Sequence, residues 1–174
     1  DAGLDTGPML AKEEVEIGPL TTAEELHDDL AELGADLIVE TLDALLQGEV
    51  EATPQEDDAA TYAPKMEKSD GAIDWSEPAE DVANHIRGFN PWPGAFSHYR
   101  SDGDERIKFH LARPVDGEGE PGEVIEADPS SGRLVIACGA GAIEALKIQA
   151  PGRQKMEAGD FLNGYAIETG ERFE

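Results

Sequence analysis

The apolar residues of this chain change their period once, and that change limits the folds open to it. From Thr22 to Gly48, Leu26, Leu30, Leu33, Leu37, Ile38, Leu42 and Leu45 recur at the spacing of one helix face. From Ala95 onward they fall instead into short stretches at 95–100, 106–114, 122–128, 133–139 and 142–150, with Ile107, Phe109 and Leu111 alternating. A helical piece followed by five short strands between Gly, Asp and Ser turns predicts a small barrel or sandwich in the second part.

Local signals set the expected ends of these elements. Thr22 with Glu25 forms a capping-box signature, Gly34 divides the leucine stretch into two helical pieces, and Gly48 is placed as a C-terminal cap. The leucine stripe reads as a packing face with no catalytic role. Val15 and Ile17 in "MLAKEEVEI" carry strand period. Ser76 is the expected N-cap of a further helix, with Pro78 in its first turn and Ala79, Val82 and Ile86 on one face before Gly88. "KMEAGDFLNGYAI" suggests one short final helix. Residues 49–64 lose all period and hold Pro54, Pro64 and a cluster of acids, which is linker composition.

Charge is the unusual bulk property: 39 acidic against 13 basic residues give a net −26. Self-repulsion of that size is screened where the Debye length is short, so the composition points to a salt-rich cytoplasm. Persistent apolar periodicity argues against a disordered chain. The bases are unevenly placed, since only Lys12 precedes residue 61. Any polyanion would therefore meet the second part. No apolar run approaches the roughly 18 residues of a membrane helix, and a soluble, cytoplasmic protein is expected. Cys138 is the single cysteine, which excludes an intramolecular disulfide and a thiolate cluster and leaves a small buried apolar side chain as its reading. His27, His85, His98 and His110 match no two-histidine spacing, so no metal is expected.

Asp5-Thr6-Gly7 admits three readings: half of an aspartic-protease dyad, a polariser of a catalytic histidine, or a turn. The protease needs a second such turn or a homodimer. Pro8 after the glycine, "ETG" at 168–170 in place of a second copy, and the long helix soon after all count against it.

Three stretches, "DAGLDTGPML", "HIRGFNPWPGAFSHYR" and "LKIQAPGRQKMEAGDFLNGYAIETGERF", taken in that order, resemble the methionyl-tRNA formyltransferases. The resemblance runs over essentially the whole chain, and its second and third stretches are its most specific part. It implies an α/β remnant, the end of a Rossmann-like formyltransferase domain at 1–48, then a linker at 49–65 and a mostly β, OB-like barrel at 66–174. The implied reaction moves a formyl group from 10-formyltetrahydrofolate to the amino group of methionyl initiator tRNA. Asp5 would hold and stabilise a histidine, and the loop of Gly3, Leu4 and Thr6 would wrap the folate. The family's Asn-x-His motif would lie upstream, so these residues alone are expected to be inactive. Arg87, Arg100, Arg106, Lys108, Arg153 and Lys155 are the candidates to face tRNA phosphates, and Trp92 either stacks on a base or packs locally. The resemblance further implies a monomer. Two alternatives stay open: a sibling folate-dependent formyltransferase acting on a sugar nucleotide, and a non-enzymatic OB-like RNA-binding module.

Overall fold

The structure is a computed structural model that describes residues 1–99 and 105–174, with the side chain of Asp57 excepted. The chain divides into two compact units, residues 1–17 with 25–65, and residues 18–24 with 66–174.

The first unit is built on helix α1, Ala23–Gln47, whose first two residues belong to the second unit. It passes through Gly34 without a break, so the expected division into two pieces does not occur. One interior glycine costs only about 1 kcal/mol relative to alanine, less than the regular hydrogen bonding on either side supplies. The helix ends at Gly48, as expected, at φ +73°. Gly48 N donates to Leu45 O (3.1 Å) and Glu49 N to Ala44 O (2.9 Å), the paired bonds of a Schellman ending. No residue of α1 is buried. The outward part of its apolar stripe, including Ile38, Leu42 and Leu46, lies exposed. Residues 10–17 form no strand, contrary to their alternation, because a strand needs an edge to pair with and only Met9 finds one. Met9 and Thr53 exchange two backbone bonds of 2.8 Å.

The second unit carries the core. After a short 3-10 turn at Lys68–Gly71 comes helix α2, Ala79–Gly88, which buries Ala79, Val82, Ala83 and Ile86. Its N-cap position is Pro78 and not Ser76. The Ser76 amide and hydroxyl both donate to Asp74 Oδ1, at 2.9 and 2.6 Å, which fixes an Asx-type turn before the helix starts. The first helical amide, Ala79 N, is satisfied by Ala140 O at 2.9 Å.

The strands are β1 (Ala95–Tyr99), β2 (Glu105–Val115), β3 (Val124–Asp128), β4 (Arg133–Ala137), β5 (Ala142–Gln149) and the two-residue β6 (Met156–Glu157). All pairings are antiparallel, in the order β1-β2-β5-β4-β3, with β6 beside β5. The five expected strands are all present, and helix α3, Ala158–Gly164, follows as expected and buries Ala158, Phe161 and Leu162. The last residues close the sheet on itself. His98 and Glu174 exchange two bonds of 2.8 Å, Phe173 N donates to Gly122 O (2.9 Å), and Val124 N donates to Glu171 O (2.8 Å). Residues 171–174 thus join the free edge of β1 to that of β3, making the small barrel that the strand count called for. Phe173 enters the core against Trp75, Tyr99 and Phe109.

Glu144 is a buried carboxylate on β5, held by Arg113 Nη2 at 2.8 Å and Arg133 Nη1 at 3.8 Å. Two basic side chains are thereby tied to the barrel wall. Cys138 is buried, and its thiol is pushed up to about 11 by burial, so it stays protonated and inert as expected. Among the described residues no helix is long and apolar enough to cross a membrane, and no group of three or more His, Cys, Asp or Glu could hold a metal.

Candidate functional site

The Asp5 loop is shaped by backbone demands. Asp5 sits at φ +57°, a region where aspartate is among the more tolerant side chains, and Gly3 sits at φ +145°. A Cβ on Gly3 would stand 2.9 Å from Thr6 Oγ1, so glycine is required there on both counts. Gln55 Nε2 donates to the carbonyls of Asp5 (2.9 Å) and Gly7 (2.7 Å), which pins the turn from outside. A depression of about 470 Å³ opens beside it, lined by Asp5, Thr6, Met9, Thr53 and Gln55. Asp5 and Thr6 are exposed along it, and Leu4 is exposed without lining it. Asp5, Thr6 and the pinning Gln55 therefore share one small concavity in the first unit, with Gly3 shaping the turn behind it. Composition places Gln55 in the linker, and only the fold shows that it holds this turn.

The five described basic candidates have different environments, all in the second unit. Arg87, in the last turn of α2, donates from Nε to Asn84 Oδ1 (2.9 Å) and from Nη1 to the carbonyls of Gly18 (3.3 Å) and Thr21 (3.1 Å). Its guanidinium fastens the segment before α1 to α2. Arg106 lies over the Phe96 ring, 3.3 Å from its centre, a cation–π stack on the outer side of the β1–β2 pair. Lys108 stands opposite Phe96 on one side and Gln149 on the other. Arg153 is exposed, and Lys155 Nζ lies 3.9 Å from Glu24 Oε2. Arg100 falls outside the described residues.

A polar node absent from the sequence reading joins the corner at Asn90 to β2, β5 and the Arg153 carbonyl. Asn90, only 6% exposed, donates from Nδ2 to His110 O at 3.1 Å and accepts at its own carbonyl from Glu24 N at 3.1 Å. His110 Nε2 meets Gln149 Oε1 at 2.9 Å, and Gln149 Nε2 donates to Arg153 O at 2.7 Å. Burial pushes His110 below its ordinary 6.5, Gln149 opposes that shift, and the ammonium groups of Lys155 and Lys108 add to it. His85, stacked 4.3 Å from Phe89, is lowered by burial as well. The sequence signal for the node was Asn90 itself, a polar residue inside a stiff aromatic-proline corner.

Residues 65–166 match the family model described as formyl transferase, C-terminal domain. This chain belongs to the formyl transferase family. It is 48% identical over 174 residues to the methionyl-tRNA formyltransferase of Aromatoleum aromaticum, covering 100% of this chain and 54% of that protein. Against the methionyl-tRNA formyltransferase of Geobacter sulfurreducens the identity is 41% over 172 residues, covering 99% of this chain and 53% of that one. The chain thus spans about half the length of the relatives it matches, and corresponds to their C-terminal portion.

Two solved structures share the fold at low identity. HypX from Aquifex aeolicus, solved in complex with tetrahydrofolic acid, superposes with a TM-score of 0.68 at 20% identity, over 98% of this chain and 30% of that one. An N-formyltransferase from Helicobacter canadensis, in complex with folinic acid and dTDP-3-aminofucose, gives 0.64 at 17%, over 86% and 52%.

Proposed function

We propose that this formyl transferase chain is part of an enzyme that transfers a formyl group from 10-formyltetrahydrofolate to the amino group of methionyl initiator tRNA. The observation that carries this reading is 48% identity to a methionyl-tRNA formyltransferase across every residue of the chain. Residues 1–48 complete the catalytic domain, 49–65 link it onward, and 66–174 hold the RNA.

In the reaction the methionyl nitrogen bonds to the formyl carbon and gives up a proton, while the bond from that carbon to N10 of the folate breaks and N10 takes up a proton. The intermediate carries an oxyanion, which needs donors aimed at it, and the proton needs a base. Asp5 supplies neither directly. Its carboxylate orients a histidine from upstream residues and stabilises that ring when protonated, the role of the orienting acid in a triad. Gly3, Leu4 and Thr6 contribute the loop against which the pteridine lies. In the second unit Arg106, Lys108, Arg153 and Lys155 face phosphates, while Arg87 supports the fold beneath them.

The test is formylation of methionyl-tRNA with 10-formyltetrahydrofolate, run on this chain and on the protein extended upstream to the length of its relatives. The extended protein is expected to be active and this chain inactive. Asp5→Asn in the extended protein should lower kcat by orders of magnitude while folate still binds, as expected when an orienting carboxylate is lost. Activity on an amino-sugar nucleotide and none on methionyl-tRNA would overturn the reading.

A further inference from the structure

We propose that Gln55 is a positioning residue for the formyl transfer, and that it acts by holding the Asp5 turn in the backbone shape that sets the carboxylate. This rests on the reading of Asp5 as the orienting acid, and adds to it a residue whose surroundings in the sequence have the composition of a linker.

The first support is how little else holds the turn. Among the described residues, 1–8 make no backbone–backbone hydrogen bond, and such bonding begins with the Met9–Thr53 pair. Asp5 nevertheless keeps φ +57°, a region that a residue with a side chain holds only where its surroundings impose it. The imposing contact is Gln55. Both protons of its Nε2 are used, one on the carbonyl of Asp5 (2.9 Å) and one on that of Gly7 (2.7 Å). Those carbonyls flank Thr6, so a single amide brackets the turn on either side of its centre. Both partners are acceptors, which fixes the nitrogen toward the turn. A carboxylate of the same size would meet two carbonyls with no proton to offer.

The second support is that Gln55 is itself fixed. Thr53, just before it, exchanges two backbone bonds of 2.8 Å with Met9, just after Gly7. Pro54 lies between Thr53 and Gln55, and its ring locks a backbone torsion of that short link. Residues 53–55 therefore grip 5–9 through one backbone pair and two side-chain bonds. The grip lies at the site and not remote from it, since Thr53, Pro54 and Gln55 line the same cavity of about 470 Å³ as Asp5 and Thr6. Geometry of this kind matters to rate, because moving a group that serves the reaction by about 1 Å can cost roughly a hundredfold.

The experiment uses the protein extended upstream to the length of its relatives, assayed with methionyl-tRNA and 10-formyltetrahydrofolate. It compares the parent with Gln55→Ala, Gln55→Glu, Asp5→Asn and the double variant of Gln55→Ala with Asp5→Asn. Gln55→Ala is expected to lower kcat by about tenfold to a hundredfold and to leave KM for methionyl-tRNA unchanged, since the RNA is held by the second unit. Gln55→Glu should lose at least as much, although its size is kept. A carboxylate beside an imidazole raises the pKa of the ring, so the acidic limb of kcat/KM against pH should move to lower pH in Gln55→Ala and Asp5→Asn alike. In the double variant Gln55→Ala should add nothing to the loss from Asp5→Asn, because it acts only through that carboxylate. Should Gln55→Ala fail to fold, Gln55→Glu answers the same questions at the parent volume. An unchanged kcat, a lowered kcat with the acidic limb in place, or losses that add in the double variant would each overturn the role of Gln55, while a loss in Asp5→Asn leaves that residue's orienting role standing. If Asp5→Asn is as active as the parent, the reading of Asp5 fails and the role of Gln55 fails with it.

Discussion

Helix α1 and the strands of the barrel carry similar proportions of apolar residues and end in opposite states. The helix has 25 residues with none buried, whereas every one of the five long strands of the barrel contributes a fully covered side chain, among them Ile107, Val124, Leu134 and Ile143. A sheet closed on itself covers its inner face without help, whereas a single amphipathic helix can cover its stripe only with a second element. The barrel therefore covers its own apolar face, and the stripe of α1 stays uncovered in this chain.

Mutations can break this contrast or sharpen it. The largest effect is expected from Phe173→Ala, which empties a position only 1% exposed among three aromatic rings. A loss of about 3–5 kcal/mol should appear in urea unfolding followed by Trp75 emission, and a smaller loss would mean that the barrel holds without its closing segment.

Lowering the pH should also act on the barrel side. His85 and His110 are both held below 6.5 in the folded protein, chiefly by burial. Below about pH 6.5 the unfolded chain binds protons that the folded one declines, so stability is full above that value and falls as the pH drops toward the folded pKa values. Denaturation midpoints from pH 7.5 down to 5.5 should decline, and a flat profile would contradict the burial of these rings.

The helix side should respond weakly to changes that would matter in a core. Gly34→Ala meets no atom within 4 Å and should raise stability or local helicity by about 1 kcal/mol, read by circular dichroism. Leu46→Gln, at a position 86% exposed, should shift stability by less than about 0.5 kcal/mol in this chain. A larger cost in the protein extended upstream would show that the stripe is covered there.

The same contrast explains which features are legible in the amino-acid sequence. Strands alternating about Ile107, Phe109 and Leu111 were legible because burial on one face imposes a period of two, and the end of α1 was legible because Gly48 adopts a conformation few other residues take. Residues 171–174 were not legible, since Phe173 is one apolar residue among charges and a period cannot be seen in one residue. Ser76 has the residue type of a cap, but its amide and hydroxyl both donate to Asp74 in a turn that ends before the helix, whose N-cap is Pro78. At the candidate site, Arg87 looked like a surface cation until the carbonyls of Gly18 and Thr21, 69 and 66 residues away, came into place beneath it. The Asn90, His110 and Gln149 node was hidden for the same reason, because its bonds span 20 and 39 residues.

The segment that joins β1 to β3 also sets the order of events when the chain folds. His98 and Glu174 must find one another across most of the second unit, and closing so long a loop carries an entropic penalty before any contact repays it. The hairpins β1–β2 and β3–β4 can form from neighbours, so the seam is expected to zip last, after the rate-limiting barrier. Substitutions in residues 171–174 should then leave refolding rates nearly unchanged and appear almost wholly as faster unfolding in stopped-flow chevrons. The barrel's durability against unfolding would be governed by its last four residues.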